Sequence, residues 1–303
     1  MRSIDYTVTP YFDGKKVFNF LRGHVKISVR LLRSLKRVES GIMLNGKSAR
    51  TIDIIHEGDT VTINIPEDET TSAPSDFPLD VVYEDEDLLI INKPPTLAMH
   101  ESHNHQGDTL ANAVAGYLTK KGRSAVFRAI GRLDKGTSGI VVCALNTHIA
   151  ARLSGNIKKQ YLALVTGEYT EDGTINKPIY RPDPMKTYRT ADDRGDYAVT
   201  HYHVEQSGKG YSLMRIDLET GRTHQIRAHF ASIGHPLLGD GKYGTNELNK
   251  AYGGYKKQFL YSYRLKFTFS TDAGILNYLN QKDFEVPEVW FKNEFLNGNL
   301  YQL

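Results

Sequence analysis

Asp134 and Arg132 stand two residues apart in Gly131-Arg132-Leu133-Asp134-Lys135-Gly136-Thr137-Ser138-Gly139. A carboxylate can attack carbon or take a proton, and a nearby guanidinium can hold it ionised and aimed. Glycines on either side read as turn formers. The β-branched run Ile140-Val141-Val142-Cys143-Ala144-Leu145 that follows reads as a buried strand. The pair therefore sits on a polar loop tied to a rigid element, a common location for function.

A second group of polar side chains lies at Gly221-Arg222-Thr223-His224-Gln225-Ile226-Arg227-Ala228-His229. It reads as a turn opening a helix that ends at Gly234, with Ile226, Phe230 and Ile233 as the buried stripe and Arg227 on its flank. The start of such a helix favours anions. His224 and His229 are five apart with no intervening glutamate, unlike a helical zinc site, and read as hydrogen-bonding scaffold. His100, His103 and His105 lack a carboxylate or thiolate at ligand spacing and read as a solvated loop. Tyr161, in Lys158-Lys159-Gln160-Tyr161-Leu162-Ala163-Leu164-Val165, sits where a strand begins, beside two cations.

Other chemistries lack their motifs. Gly136-Thr137-Ser138-Gly139 does not have the spacing of a nucleophile elbow. Gly239-Asp240-Gly241-Lys242-Tyr243-Gly244 follows no predicted strand and lacks the order of a phosphate-binding loop. No nucleotide, dinucleotide or metal cofactor is expected. The lone Cys143 excludes an internal disulfide and reads as a buried thiol.

The 303 residues, 40% of them hydrophobic, suffice for one large domain or two unequal ones. No apolar run approaches the roughly 18 residues that span a bilayer, and the N-terminus lacks a signal-peptide core, so a soluble cytoplasmic protein is expected. No obligatory protein partner is evident. Net charge is only +3, yet residues 1–66 hold eleven Lys and Arg against six Asp and Glu. That asymmetry suits a polyanion, RNA before an acidic membrane.

In order, Val17–Leu21 and Ser28–Val38 read as helices joined through Gly23. On the second, Leu31, Leu35 and Val38 share one face and Arg30, Arg33 and Arg37 another. A strand with an Asn45-Gly46 turn and the alternating strand Thr60–Ile65 follow. Two helices, a short hairpin and a terminal strand in this order, with arginines on the second helix, resemble the S4 RNA-binding domain. Residues 67–78, acidic and proline-punctuated, read as a linker about which this module would swing, and residues 79–303 as the larger domain. There, Val81–Tyr83, Leu88–Asn92, Val199–Val204 and Tyr211–Leu218 read as strands, with Lys93-Pro94-Pro95 as an extended exit. Helices are expected from Asp108, with Leu110, Val114 and Leu118 in line, and over Asn146–Ile157.

The ordered set of S4-like module, Ile91-Asn92-Lys93-Pro94-Pro95, Gly131-Arg132-Leu133-Asp134, Lys159-Gln160-Tyr161-Leu162-Ala163-Leu164-Val165 and Gly221 to His229 resembles the RluA family of RNA pseudouridine synthases. The resemblance spans essentially the whole chain. It implies that Asp134 is the essential aspartate, that Tyr161 packs on the target base and that Arg227 pairs with the aspartate. Arg132 would fill the space left by a flipped-out nucleotide. Gly131 departs from the frequent His-Arg-Leu-Asp. The implied fold is α+β: a mixed, largely antiparallel central sheet with flanking helices and a cleft across its middle, plus the small α+β N-terminal domain. The implied reaction needs no cofactor, and Asp134 would either attack the sugar or take a proton from it. Ribosomal RNA is the favoured substrate, transfer RNA the competitor. A catalytically silent RNA-binding or ribosome-assembly factor would not need Asp134, Tyr161 and Arg227 together.

Overall fold

In the computed structural model, which describes residues 1–103, 105–251 and 257–298, the basic N-terminal stretch builds its own small sheet. It comprises β1 (Arg2–Thr7), α1 (Val17–Gly23), α2 (Val29–Leu35), β2 (Ile42–Leu44), β3 (Lys47–Ser48) and β4 (Thr60–Ile65), with strand order β1-β4-β2-β3. Asn45 and Gly46 both have positive φ, 48° and 78°, the conformation that closes a tight β2–β3 hairpin. Ser28 caps α2 by accepting from the Leu31 amide at 3.0 Å. The helix stops at Leu35, short of Val38, because Gly41 turns back so tightly that a Cβ there would lie 2.1 Å from the Leu35 carbonyl oxygen. Leu31, Leu32 and Leu35 join Phe20, Leu21 and Ile63 in this core, whereas Arg30, Arg33 and Arg37 are exposed.

The remainder contains β5 (Asp80–Glu84), β6 (Leu88–Lys93), α3 (Leu110–Lys120), β7 (Arg128–Ile130), β8 (Ser138–Ala144), α4 (Thr147–Leu153) and β9 (Ile157–Thr166). It continues with β10 (Gly173–Asn176), β11 (Ile179–Tyr180), β12 (Thr190–Ala191), β13 (Val199–Gly208), β14 (Tyr211–Leu218), α5 (Gln225–Ser232), α6 (Asn246–Ala251), β15 (Leu260–Phe267), β16 (Asp283–Glu285) and α7 (Lys292–Leu296). A ten-stranded sheet runs β10-β13-β14-β9-β15-β8-β6-β5, with β7 added on β8 and β16 on β15. Among the described residues its strand pairs are antiparallel except β8 with β15. The fold is thus α+β with a mixed, largely antiparallel central sheet.

Strand alternation sorts the core into two layers. Tyr161, Ala163 and Val165 of β9 face Leu110 and Val114 of α3 and Ile226 and Phe230 of α5. Leu162 and Leu164 face Ile149 and Leu153 of α4 and Phe291 and Phe295 on the opposite side. With both faces covered, β8 is buried along its whole length, as its continuous apolar run requires. The helix expected to reach Ile157 ends at Leu153, because Gly155 turns left-handed at φ 78° and Ile157 already starts β9.

Residues 67–78 form no regular element, but the segment is not a free linker. The Ser75 amide donates to the Asn112 carbonyl at 3.1 Å, the Asn112 side-chain amide to the Ala73 carbonyl at 2.8 Å, and Asp68 pairs with Arg128. Gly116 of α3 leaves the space through which Ser75 passes. Arg2 of β1 grips Asp87 through two hydrogen bonds at 3.0 and 3.1 Å, and Tyr6 meets His148 of α4 at 3.0 Å. These contacts fasten the small sheet to the large one. No helix among the described residues is long and apolar enough to cross a membrane.

Candidate active site

The Asp134 loop occupies a change of partner in the middle of the sheet. On the side of β8 away from β6, its first two residues pair with β15 and its last three with β7. The chain between β7 and β8 must therefore loop out over the junction. Gly139 permits this: at φ 114° a Cβ would lie 2.2 Å from the Ser262 carbonyl oxygen, so the two backbones meet closely only around a glycine. The Thr137 amide donates to the Asp134 carbonyl at 3.1 Å, and Gln258 holds the Thr137 hydroxyl at 2.7 Å.

Helix α5 faces the loop across a cleft of about 80 Å³ whose lining includes Arg132, Asp134, Tyr161, His224 and Arg227. The Nη1 of Arg227 donates to Asp134 Oδ2 at 2.7 Å. Arg227, on the helix flank, is buried, and its other edge donates to Asp240 through Nε at 2.7 Å and Nη2 at 2.9 Å. Burial works against its charge, but the two carboxylates outweigh that and push its pKa up, so the cation persists. Tyr161 projects from β9 onto the same cleft, and burial, aided by the Asp134 charge, pushes its pKa up to about 12. It therefore offers a neutral phenol. Arg132 is exposed at the mouth, with no ion pair or hydrogen bond among the described residues.

His224 ends the turn before α5 in a left-handed conformation, φ 58°. Its Nε2 stands 3.7 Å from Asp134 Oδ2 and its Nδ1 meets the Tyr243 hydroxyl at 2.8 Å. Burial lowers its pKa to about 4, against the pull of Asp134, leaving a neutral ring at pH 7. His229 is scaffold: its ring bridges the Thr200 hydroxyl at 2.9 Å and the Lys177 carbonyl at 2.8 Å. Among the described residues no group of three or more His, Cys, Asp and Glu side chains is arranged to hold a metal ion. His105 instead lies between Asp108 at 2.7 Å and Lys135 at 2.9 Å.

Sequence reasoning missed four supporting side chains. Lys93 is fully buried and donates to the carbonyls of Pro94 and Leu97 at 2.9 Å and of Lys135 at 3.2 Å, tying β6 to the Asp134 loop. Burial brings its pKa down to about 7, with Asp134 opposing. Gln225 accepts from the Arg222 amide at 3.0 Å and donates to the Val199 carbonyl at 3.0 Å, fixing the turn to β13. Asp240 and Tyr243 back Arg227. The available signal was a charged residue at the end of an apolar run, as in Leu88 to Lys93 and in Pro236-Leu237-Leu238-Gly239-Asp240.

A family model described as RNA pseudouridylate synthase matches residues 87–232, which include Arg132, Asp134, Tyr161 and Arg227. A Bacillus subtilis protein named uncharacterized RNA pseudouridine synthase YhcT is 36% identical over 252 residues, spanning 80% of this chain and 83% of its own. The chain belongs to the RluA-type family of RNA pseudouridine synthases. A Vibrio cholerae relative named ribosomal large subunit pseudouridine synthase D is 34% identical over 247 residues, 74% of this chain and 76% of its own. The solved structure of human RNA pseudouridylate synthase domain containing 1 shares the fold, with a TM-score of 0.53 at 22% identity over 76% of this chain and 97% of its own. Gly131, beside Arg132, has a φ of 77°, a conformation that glycine adopts freely.

Proposed function

We propose that this pseudouridine synthase isomerises uridines of large-subunit ribosomal RNA, with the target nucleotide flipped out of its stack and Asp134 as the essential reacting group. The reaction breaks the bond from N1 to C1′, turns the uracil and joins C5 to C1′, while C5 loses a proton and N1 gains one. No redox change or hydrolysis is involved. The observation that carries the assignment of roles is the hydrogen bond from Arg227 to Asp134 in a cleft that Tyr161 also lines. Asp134, in contact with the Arg227 cation, attacks C1′ or takes a proton from the sugar. Tyr161 gives the loosened uracil a flat surface, and base stacking is worth about 1–3 kcal/mol. Arg132, exposed at the mouth, enters the gap that the flipped nucleotide leaves.

The substrate class draws support from relatives named for the large ribosomal subunit. Residues 1–66, read as an S4-like domain, supply the RNA arm through Arg30, Arg33 and Arg37, which are exposed and line a groove shared with Arg128 beside the catalytic sheet. Pseudouridine mapping of total RNA from cells with and without the protein tests this reading. Loss of defined large-subunit sites is expected. Loss confined to transfer RNA would replace the substrate, and an unchanged map would refute the reading.

A further inference from the structure

Asp240 lies outside the residues matched by the family model and does not line the cleft, yet it is fully buried against Arg227. Its carboxylate accepts from Arg227 Nε at 2.7 Å and Nη2 at 2.9 Å, and from the backbone amides of Lys242 at 2.9 Å and Tyr243 at 3.1 Å. The Tyr243 ring centroid lies 5.0 Å from the guanidinium carbon, and its hydroxyl accepts from the Arg189 amide at 3.0 Å. Arg227 is therefore held along one edge and over one face. From its remaining N–H groups, Nη1 donates to Asp134 at 2.7 Å.

Facing Asp134 with its full charge, Arg227 would aim the carboxylate but passivate it, since a carboxylate gripped by an unshared cation is a weaker nucleophile and a weaker base. We propose that Asp240 is a positioning residue for uridine isomerisation: it holds the Nε–Nη2 edge of Arg227 and balances its charge, so that Nη1 is aimed at Asp134 by a guanidinium whose charge is already shared. The inference rests on Asp134 being the reacting carboxylate. The groups facing Asp134 are Arg227 and His224 in contact, with Lys93, Lys242, Tyr161 and Tyr243 within electrostatic reach. Those facing Asp240 are Arg227 and Lys242.

The test is single-turnover conversion across pH, using total RNA isolated from cells that lack the protein. Asp240→Asn is expected to slow conversion at pH 7 about tenfold and to move the acid limb of the pH–rate profile about one unit lower, because a negative charge near Asp134 has gone. In an Arg227→Met background the same change should have no further effect. An acid limb in its wild-type place, or effects that multiply in the double variant, would overturn the proposal, since a merely structural Asp240 lowers the rate without moving that limb. Asp240→Glu keeps the charge and is expected to retain the wild-type limb. If Asp240→Asn does not fold, Asp240→Ser, which also removes the charge, replaces it: a limb about one unit lower supports the proposal and a wild-type limb overturns it. Full conversion by Asp134→Asn would instead refute the reading of the site on which this rests.

Discussion

Replacing Gly139 by alanine tests how the sheet positions the reacting loop. At φ 114° the new side chain is strained by about 1–2 kcal/mol. Its Cβ would also lie 2.2 Å from the Ser262 carbonyl oxygen and 2.7 Å from the Ser262 amide nitrogen. Because these are backbone atoms in the middle of the sheet, relief requires parting β8 from β15 where their parallel pairing is only two residues long. Leaving a buried backbone group without its partner costs about a further 1–3 kcal/mol. The expected loss is about 4 kcal/mol, or a melting point lower by about 10 °C. Since the same junction carries Asp134, a displacement of about 1 Å should also cut single-turnover conversion about a hundredfold in the fraction that remains folded. Thermal melting and conversion measured below the transition give both numbers. A melting point within 2 °C of wild type, or a wild-type rate, would refute this link between strand register and site.

Tyr161→Phe should keep most of the single-turnover rate, because burial holds the phenol neutral and the ring remains, whereas Tyr161→Ala should lose stacking and rate together; equal, undiminished rates would make Tyr161 mere packing. Arg30→Ala combined with Arg33→Ala should weaken RNA binding and flatten the slope of log affinity against log salt by about 1.5, and an unchanged slope would remove α2 from the RNA interface. His148 meets Tyr6 at 3.0 Å and Arg152 at 3.2 Å, and burial lowers its pKa to about 4. Its folded value lies below the unfolded one near 6.5. The unfolded chain therefore takes up the proton first, and stability present above pH 6.5 is lost between 6.5 and 4, by about 3 kcal/mol. Melting curves at pH 7, 5.5 and 4.5 should show a shallower acid loss in His148→Gln, and equal losses would show that this contact does not titrate.

Local patterns revealed elements more readily than their relationships. The run Ile140 to Leu145 announces a buried strand, and it is one. Asp134 and Arg227 are 93 positions apart, and only the placement of β8, β9 and α5 around one cleft brings them within hydrogen-bonding distance. Arg227 looks like a flank residue by helical spacing, since nothing local indicates that Asp240 will meet it below the surface. Lys93 is missed for the same reason: its carbonyl partners include Lys135, which the fold supplies. Segment 67–78 has the composition of a linker, yet backbone hydrogen bonds to α3 hold it without any apolar signal. The requirement for glycine at 139 depends on how closely β15 approaches, which no single stretch encodes.

The most direct test of Asp134 as the reacting group is single-turnover pseudouridine formation by Asp134→Asn on total RNA from cells lacking the protein. Asparagine keeps the shape and can still face Arg227 but carries no charge to attack or accept a proton. The expected rate is below about one-thousandth of wild type, with RNA binding retained. Conversion at the wild-type rate would contradict the assignment of this loop as the reacting centre.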